Sequence, residues 1–379
     1  MSLLLNEEQR LLSDTAAEFL TARSPVSALR RLRDTDDPLG HDPRLWREVV
    51  ELGWTAAVMP EAHGGLDFGY KGLGAVFEQS GRRLSALPLL ASVVLAGGLL
   101  LEAGSEEQRA RWLPRIIDGS TLFALALEEG GRHDPAAVRL SARREAGDWV
   151  LDGEKCFVID GHVAQQLLVV ARSSGRPGET AGLSLFLVDA ALPGVQVQRT
   201  HMVDSRNAAR VRLEGVRVGP QALVGRADEG FGPLDAVLDC ARCCLAAESL
   251  GLLREAFERT LGYLKERVQF DRPIGSFQAL QHRAARLYVE LELLQSCVMA
   301  SLEAIDDQAS DRAQLASLAK ARAGELCAKL LNEAVQMHGG IGVTDEFDLG
   351  LFLKRGRVLQ QSLGDAVFHR ERYARLKGF

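Results

Sequence analysis

The sequence predicts a three-part chain: an α-helical N-terminal domain, a central β-barrel or sandwich domain, and a C-terminal four-helix bundle. Three observations carry this. Apolar residues recur at helical spacing up to about residue 122. The pattern then changes to short apolar runs ended by Gly, Asp or Ser, and from about residue 230 long helical periods return. The boundaries fall at 1–122, 123–226 and 227–379. A chain of 379 residues accommodates two or three domains and buries a large core without staples.

In the first region Leu5, Leu11, Leu12, Ala16 and Leu20 share a helical face, and Glu106 to Ile117 repeats that character until Gly119 closes it. Pro60 to Gly65 reads as a loop. Leu84 to Leu101 is an uncharged run of membrane-span length. Pro88, Gly97 and Gly98 lower its helical propensity, and amphipathic segments surround it, so a buried helix pair is expected. The N-terminal residues enter an amphipathic helix without the basic flank of a signal peptide. In the middle region WVLDGEKCFVIDG, QLLVVARSSG, LSLFLVDA and ARVRLEGVRVG read as strands, with Asp152-Gly153 as a hairpin signal. Strands following one another without helices point to a barrel or sandwich. In the last region helices are expected from Asp235 to Arg267, Phe277 to Ile305 and Gln314 to Gln336.

Composition excludes several function classes. The chain is 46% hydrophobic and 25% charged, with a net charge of -6. That leaves no basic footprint for nucleic acid. The six cysteines have no disulfide-scaffold spacing, so reduced thiols in a cytoplasmic protein are expected, with no membrane association. Cys240 and Cys243 form a C-x-x-C inside an apolar helical pattern, where core thiols outrank a redox pair. No metal site is expected, since no second cysteine pair and no zinc-hydrolase motif is present. No Rossmann glycine motif follows a strand.

Specific segments sharpen the reading. From Tyr263 the chain runs YLKERVQFDRPIGSFQALQHRAA, and from Gln336 it runs QMHGGIGVTDEF. The middle region carries LDGEKCFVIDG, and the first carries GWTAAVMPEAHGG and GSEEQRARWLPRIIDGS. In order and spacing these resemble the acyl-CoA dehydrogenase family, over nearly the whole chain. The resemblance implies an FAD held non-covalently by residues of the β domain and the bundle, partly by a neighbouring subunit. It also implies an acyl-CoA thioester substrate and an electron-accepting flavoprotein. The oligomer, a tetramer by the resemblance, would form through the bundle.

The chemistry of the matching residues agrees. Arg267 carries a guanidinium that forks onto a pyrophosphate. Gln269, Gln278 and Gln336 offer amides to phosphate, ribose or adenine. Phe270 and Phe277 present flat apolar faces, and Gly339-Gly340 lets a phosphate approach the backbone. By the resemblance Phe157 and Ile159 pack on the isoalloxazine, and Glu129 matches the glutamate of the family's T-E-P loop. Taken singly, an arginine at a helix end is more often a solvated charge and a Gly-Gly more often a turn; the joint spacing lifts them above that.

Departures from the pattern matter more. Asp271 stands where the family has Gly after Q-F. A carboxylate facing a pyrophosphate is repelled, so Asp271 is expected to point away or to pair with Arg272. The T-E-P-x-x-G-S-D loop is replaced by Glu128 to Asp134, and Ile159 takes the place of a hydroxyl residue. The family reaction removes a weakly acidic proton beside a thioester and passes a hydride to the flavin, which needs a carboxylate base. The family places that Glu in an E-G-T near the C-terminus or before an Arg in L-D-x-E-R. Here those positions hold Leu363 and Ala241. Three readings stay open: Asp365, two residues on, is the base; a Glu-bearing homologous partner supplies it, this chain resembling the small subunits of dicarboxylic-acyl-CoA and sterol-side-chain dehydrogenases; or the flavin serves an oxidase or monooxygenase. A non-catalytic flavin-binding or structural subunit is the alternative outside enzymes. The competing role for Asp365 is the N-cap of the last helix.

Overall fold

The computed structural model describes residues 5–379, so the first four residues of the N-terminal helical region lie outside the description. Six helices come first: α1 (Glu7–Arg23), α2 (Val26–Asp34), α3 (Pro43–Glu51), α4 (Gly69–Arg83), α5 (Gly98–Ala103) and α6 (Glu106–Ile117). Strands follow: β1 (Phe123–Ala126), β2 (Ser141–Glu145), β3 (Asp148–Ile159), β4 (Gln166–Arg172), β5 (Leu183–Asp189), β6 (Val195–His201), β7 (Asn207–Val218) and β8 (Leu223–Val224). The last part holds α7 (Phe231–Glu266), a small hairpin of β9 (Val268–Gln269) and β10 (Arg272–Pro273), then α8 (Gln278–Asp306), α9 (Arg312–His338), α10 (Leu349–Gln361) and α11 (Ala366–Leu376). This is the helix, strand, helix order expected from the sequence. No helix of the described residues is long and apolar enough to cross a membrane.

The chain packs as two compact units. The bundle unit takes the residues up to Arg31, Tyr70–Ser85 and Arg242–Phe379; the sheet unit takes Leu32–Gly69 and Ala86–Ala241.

In the bundle unit α8, α10 and α11 all pack on α9. The buried side of α9 includes Ala316, Ala319, Ala323, Gly324 and Ala334, small residues that let neighbouring axes approach. The approach of α4 to α7 is closer still. A Cβ at Gly251 would lie 1.7 Å from the Glu78 carbonyl oxygen, and one at Gly81 would lie 2.0 Å from that of Glu248. Backbone meets backbone there, and only glycine fits.

In the sheet unit the strands form one eight-stranded sheet in the order β6-β7-β3-β2-β4-β5-β8, with β1 paired to β4. Its two parts are joined between β2 and β4 by the pair Ser141–Arg172. Alternate side chains of both parts close on one core around Trp149, Leu151, Leu167, Val169, Phe186 and Val211. Trp149 meets Phe186 edge-on at 5.1 Å, the arrangement the ring quadrupoles favour.

Two local expectations are corrected. Asp152-Gly153 is not a hairpin turn. It lies inside β3, where the register with β7 shifts, and Gly153 at φ 144° permits the bulge. The turn that joins β2 to β3 is Ala146-Gly147, with φ 52° and 97°, the positive values a two-residue hairpin needs. Leu84 to Leu101 is not a helix pair either. After a short extended stretch the chain enters one helical run from Leu89, wound as a π-helix over Leu90–Gly97 and continuing as α5. Pro88 precedes the run, where its missing N–H costs nothing. Gly97 sits against the Met59 methyl, 2.4 Å from where a Cβ would be.

Candidate functional site

A cavity of about 490 Å³ opens in the bundle unit. Tyr263, Arg267, Gln269 and Ile274 line it from the end of α7 and the hairpin, and Gln336 to Ile341 line it from the end of α9. The cavity therefore gathers Arg267, Gln269, Gln336, Gly339 and Gly340 from segments far apart in sequence. Arg267 is the first residue past α7. Its backbone is tied on both sides, to the Tyr263 carbonyl at 2.9 Å and to the Ile274 N–H at 2.8 Å. Its guanidinium is exposed and has no ion pair among the described residues. Gly339 ends α9 at φ 63°, and a Cβ on Gly339 or Gly340 would meet nothing within 4 Å. A free cation, amides and a backbone open to approach suit a phosphodiester.

His338 forms part of the same wall and was not singled out by the sequence reading, although it lies within the quoted Gln336 segment. Its ring stacks on Tyr263 at 4.5 Å and lies 4.9 Å from Phe347. Nδ1 donates to the Ala334 carbonyl at 2.7 Å. Burial pushes its pKa below the usual histidine value, with the Ala334 bond acting the other way. The imidazole is thus a flat, neutral ring in the cavity wall.

The hairpin explains one departure from the family pattern. Phe270 and Asp271 form its turn with φ 53° and 61°, so both central residues are left-handed. Glycine meets that demand most easily, and aspartate is among the few other residues that tolerate it. Asp271 is exposed and does not pair with Arg272. The Arg272 guanidinium instead lies 4.1 Å over the Phe277 ring, a cation–π contact. Phe270 is 86% exposed and meets Phe277 edge-on at 6.1 Å. Phe270, Phe277 and the exposed Gln278, which opens α8, stand outside the cavity lining.

A second feature of the bundle unit is the turn between α10 and α11. Leu363 is 7% exposed and sits at φ 55°, a strained conformation for a bulky side chain. The Leu363 carbonyl accepts from His369 Nε2 at 3.0 Å and from Arg242 Nε at 3.4 Å. The fully buried Lys320 ammonium donates to the carbonyls of Leu359 and Gly364, both at 2.9 Å. Burial pushes Lys320 down to about 8, with Cys327 and Asp365 opposing and Arg242 adding. Asp365 accepts from the Phe368 N–H at 2.8 Å and caps α11. These donors hold a left-handed turn whose leading side chain is apolar. Ala241, at the other position, is also fully buried.

The sheet unit holds the remaining expected residues. Phe157 sits at φ 50° in a bulge of β3, between the register pairs of Lys155 and Val158. It is 44% exposed, an aromatic face turned out of a sheet; Ile159 is half-buried. The Glu129 carboxylate is engaged within the chain: one oxygen accepts from the Leu140 N–H at 2.9 Å and Lys155 Nζ at 2.7 Å, the other from the Arg139 N–H at 2.8 Å. It shapes the loop from Leu127 to Leu140. The half-buried Glu128 meets His133 Nδ1 at 2.5 Å.

The helix, strand, helix fold defines the class of protein before any single residue does. Family models agree along the chain: the acyl-CoA dehydrogenase N-terminal domain matches residues 6–120, the middle domain 123–216 and the C-terminal domain 228–376. The chain belongs to the acyl-CoA dehydrogenase family, a family of FAD-binding oxidoreductases. It is 31% identical to the acyl-CoA dehydrogenase FadE12 of Mycobacterium tuberculosis over 363 residues, 94% of this chain and 92% of that protein. Among solved structures it is similar to the Tcur3481–Tcur3483 steroid acyl-CoA dehydrogenase, with a TM-score of 0.88 and 34% identity over 98% of both chains. It is also similar to the ChsE4–ChsE5 complex of Mycobacterium tuberculosis, with a TM-score of 0.88 and 26% identity over 100% of this chain and 99% of that one.

Proposed function

We propose that this chain is the flavin-carrying but base-less subunit of a heteromeric acyl-CoA dehydrogenase. A homologous partner supplies the catalytic glutamate. The observation that carries this is the turn at Leu363. The backbone at the family's base position is left-handed and strained, and the side chain on it is apolar and buried. Ala241 leaves the second position empty of acid. Asp365 spends its carboxylate on capping α11, which favours a partner's base over Asp365. The Tcur3481–Tcur3483 and ChsE4–ChsE5 proteins, each described by two components, support a two-chain assembly, and the family supports an acyl-CoA thioester substrate. The exposed cation of Arg267 and the open glycines after α9 suit the diphosphate of FAD, and Phe157 and Ile159 suit its ring. Cysteines outside any disulfide among the described residues fit a reducing, cytoplasmic setting.

The test is anaerobic flavin bleaching by a panel of acyl-CoA thioesters, with the chain alone and mixed with candidate Glu-bearing homologues. The chain alone should bleach slowly, and the right mixture should bleach roughly 10²–10⁴-fold faster, the usual weight of a general base. Leu363→Glu should raise bleaching by the isolated chain. Brisk bleaching by the isolated wild type, abolished in Asp365→Asn, would overturn the partner reading. Arg267→Ala should weaken FAD retention about 10–100-fold, since a hydrogen bond to a charged group is worth about 1.5–3 kcal/mol. Isothermal titration reads this directly.

A further inference from the structure

We propose that Lys155 is a positioning residue for the flavin: its buried ion pair with Glu129 fixes both the Leu127–Leu140 loop and the bulge that presents Phe157. This rests on reading Phe157 and its neighbours as the flavin seat.

The Lys155 side chain is fully buried. It sits at the last register pair before the β3 bulge, two residues from Phe157. Its ammonium donates to the Leu127 carbonyl at the end of β1, 3.0 Å away, and to Glu129 at 2.7 Å. Glu129 in turn takes the N–H groups of Arg139 and Leu140, so one ammonium ties down both ends of the loop. The loop is also stitched to the bulge itself. The Cys156 N–H donates to the Glu128 carbonyl at 2.7 Å, and its thiol reaches the Gly130 carbonyl at 3.5 Å. A left-handed phenylalanine persists only where its surroundings over-determine it. Here the residues before it in β3 are pinned by this network and Val158 after it rejoins the ladder to Ala209. A buried ion pair that does not touch the ligand thus sets the geometry of the face that would touch it.

The charges around the ammonium make this measurable. Burial pushes Lys155 down to about 8, against the Glu129 and Glu128 carboxylates, which favour the protonated amine. Arg210 acts on Cys156, Arg172 on Glu129, and His133 bonds to Glu128. Deprotonation of Lys155 removes the charge that ties down the loop. The flavin should report this although Lys155 does not contact it.

The experiment is visible circular dichroism of the FAD-loaded wild-type protein from pH 7 to 10, with FAD affinity measured alongside. The expected result is a transition of the flavin signal with a midpoint near 8. In Glu129→Gln the midpoint should move to lower pH, because the partner charge that favours the protonated amine is gone. Lys155→Met should lose the transition and bind FAD at least tenfold more weakly. Should Lys155→Met not fold, the wild-type and Glu129→Gln titrations decide. A pH-independent flavin signal in the wild type, a midpoint unmoved in Glu129→Gln, or unchanged dichroism and affinity in a folded Lys155→Met would each overturn the proposal. A wild type that binds no FAD at all would sink the flavin reading itself, and the proposal with it.

Discussion

Lys155 in the sheet unit and Lys320 in the bundle unit are both fully buried, and burial pushes both down to about 8. Their surroundings differ. Lys155 has a carboxylate in hydrogen-bond contact, whereas the hydrogen bonds of Lys320 go to backbone carbonyls. The first is an ion pair that gathers a loop. The second is a cation solvated by the dipoles of a turn. Equal burial therefore conceals unequal dependence. Removing Lys155 leaves a charge behind, whereas removing Lys320 leaves neutral acceptors behind.

The largest expected effect follows from that asymmetry. Lys155→Met should destabilise the protein by about 3–5 kcal/mol, the usual result of orphaning one member of a buried pair. Lys320→Met should cost less, about 1–3 kcal/mol for its stranded carbonyls, partly offset by the apolar side chain. Urea unfolding of the two variants side by side checks the order. Equal losses would break the comparison, and adding Glu129→Gln to Lys155→Met should recover part of the larger one.

A smaller effect concerns pH. A lysine whose folded pKa lies below its unfolded value binds fewer protons folded than unfolded between the two values. Its stabilising contribution is fully present above about pH 10.5 and is lost as pH falls through about 8. Lys320→Met should flatten the alkaline rise in stability across that window relative to wild type, as read by unfolding at fixed pH steps. A difference that runs the other way would mean that the turn carbonyls hold the charge better than burial opposes it.

The smallest effect sharpens a second contrast, between two left-handed turns of the bundle unit. Asp271 is exposed at φ 61° and Leu363 is buried at φ 55°. Asp271→Gly should stabilise the hairpin by at most about 1 kcal/mol, since the strain is relieved and no packing is lost. Leu363→Gly should instead destabilise, because a buried Leu side chain is worth roughly 1.5–3 kcal/mol. Thermal unfolding of both variants distinguishes the signs.

The sequence by itself determined the order of helix, strand and helix, because side-chain periodicity is a local property that survives without coordinates. It also marked the residues the cavity brings together, since Arg267 and Gln269 at one helix end, and Gln336 with its glycines at another, stand in short motifs. It showed that both usual base positions are apolar. Local signals misled where two turns competed: Asp152-Gly153 looked like the hairpin, yet Ala146-Gly147 makes it, because core packing kept β3 running through the bulge. Only the tertiary structure decided that Lys155 and Lys320 are buried, since their partners lie 26 to 28 and 39 to 44 residues away. It alone showed that Glu129 is turned into a loop and that His338 stacks on Tyr263. Whether a charge is solvated or buried depends on which distant backbone closes over it, and no local pattern in a single chain encodes that closure.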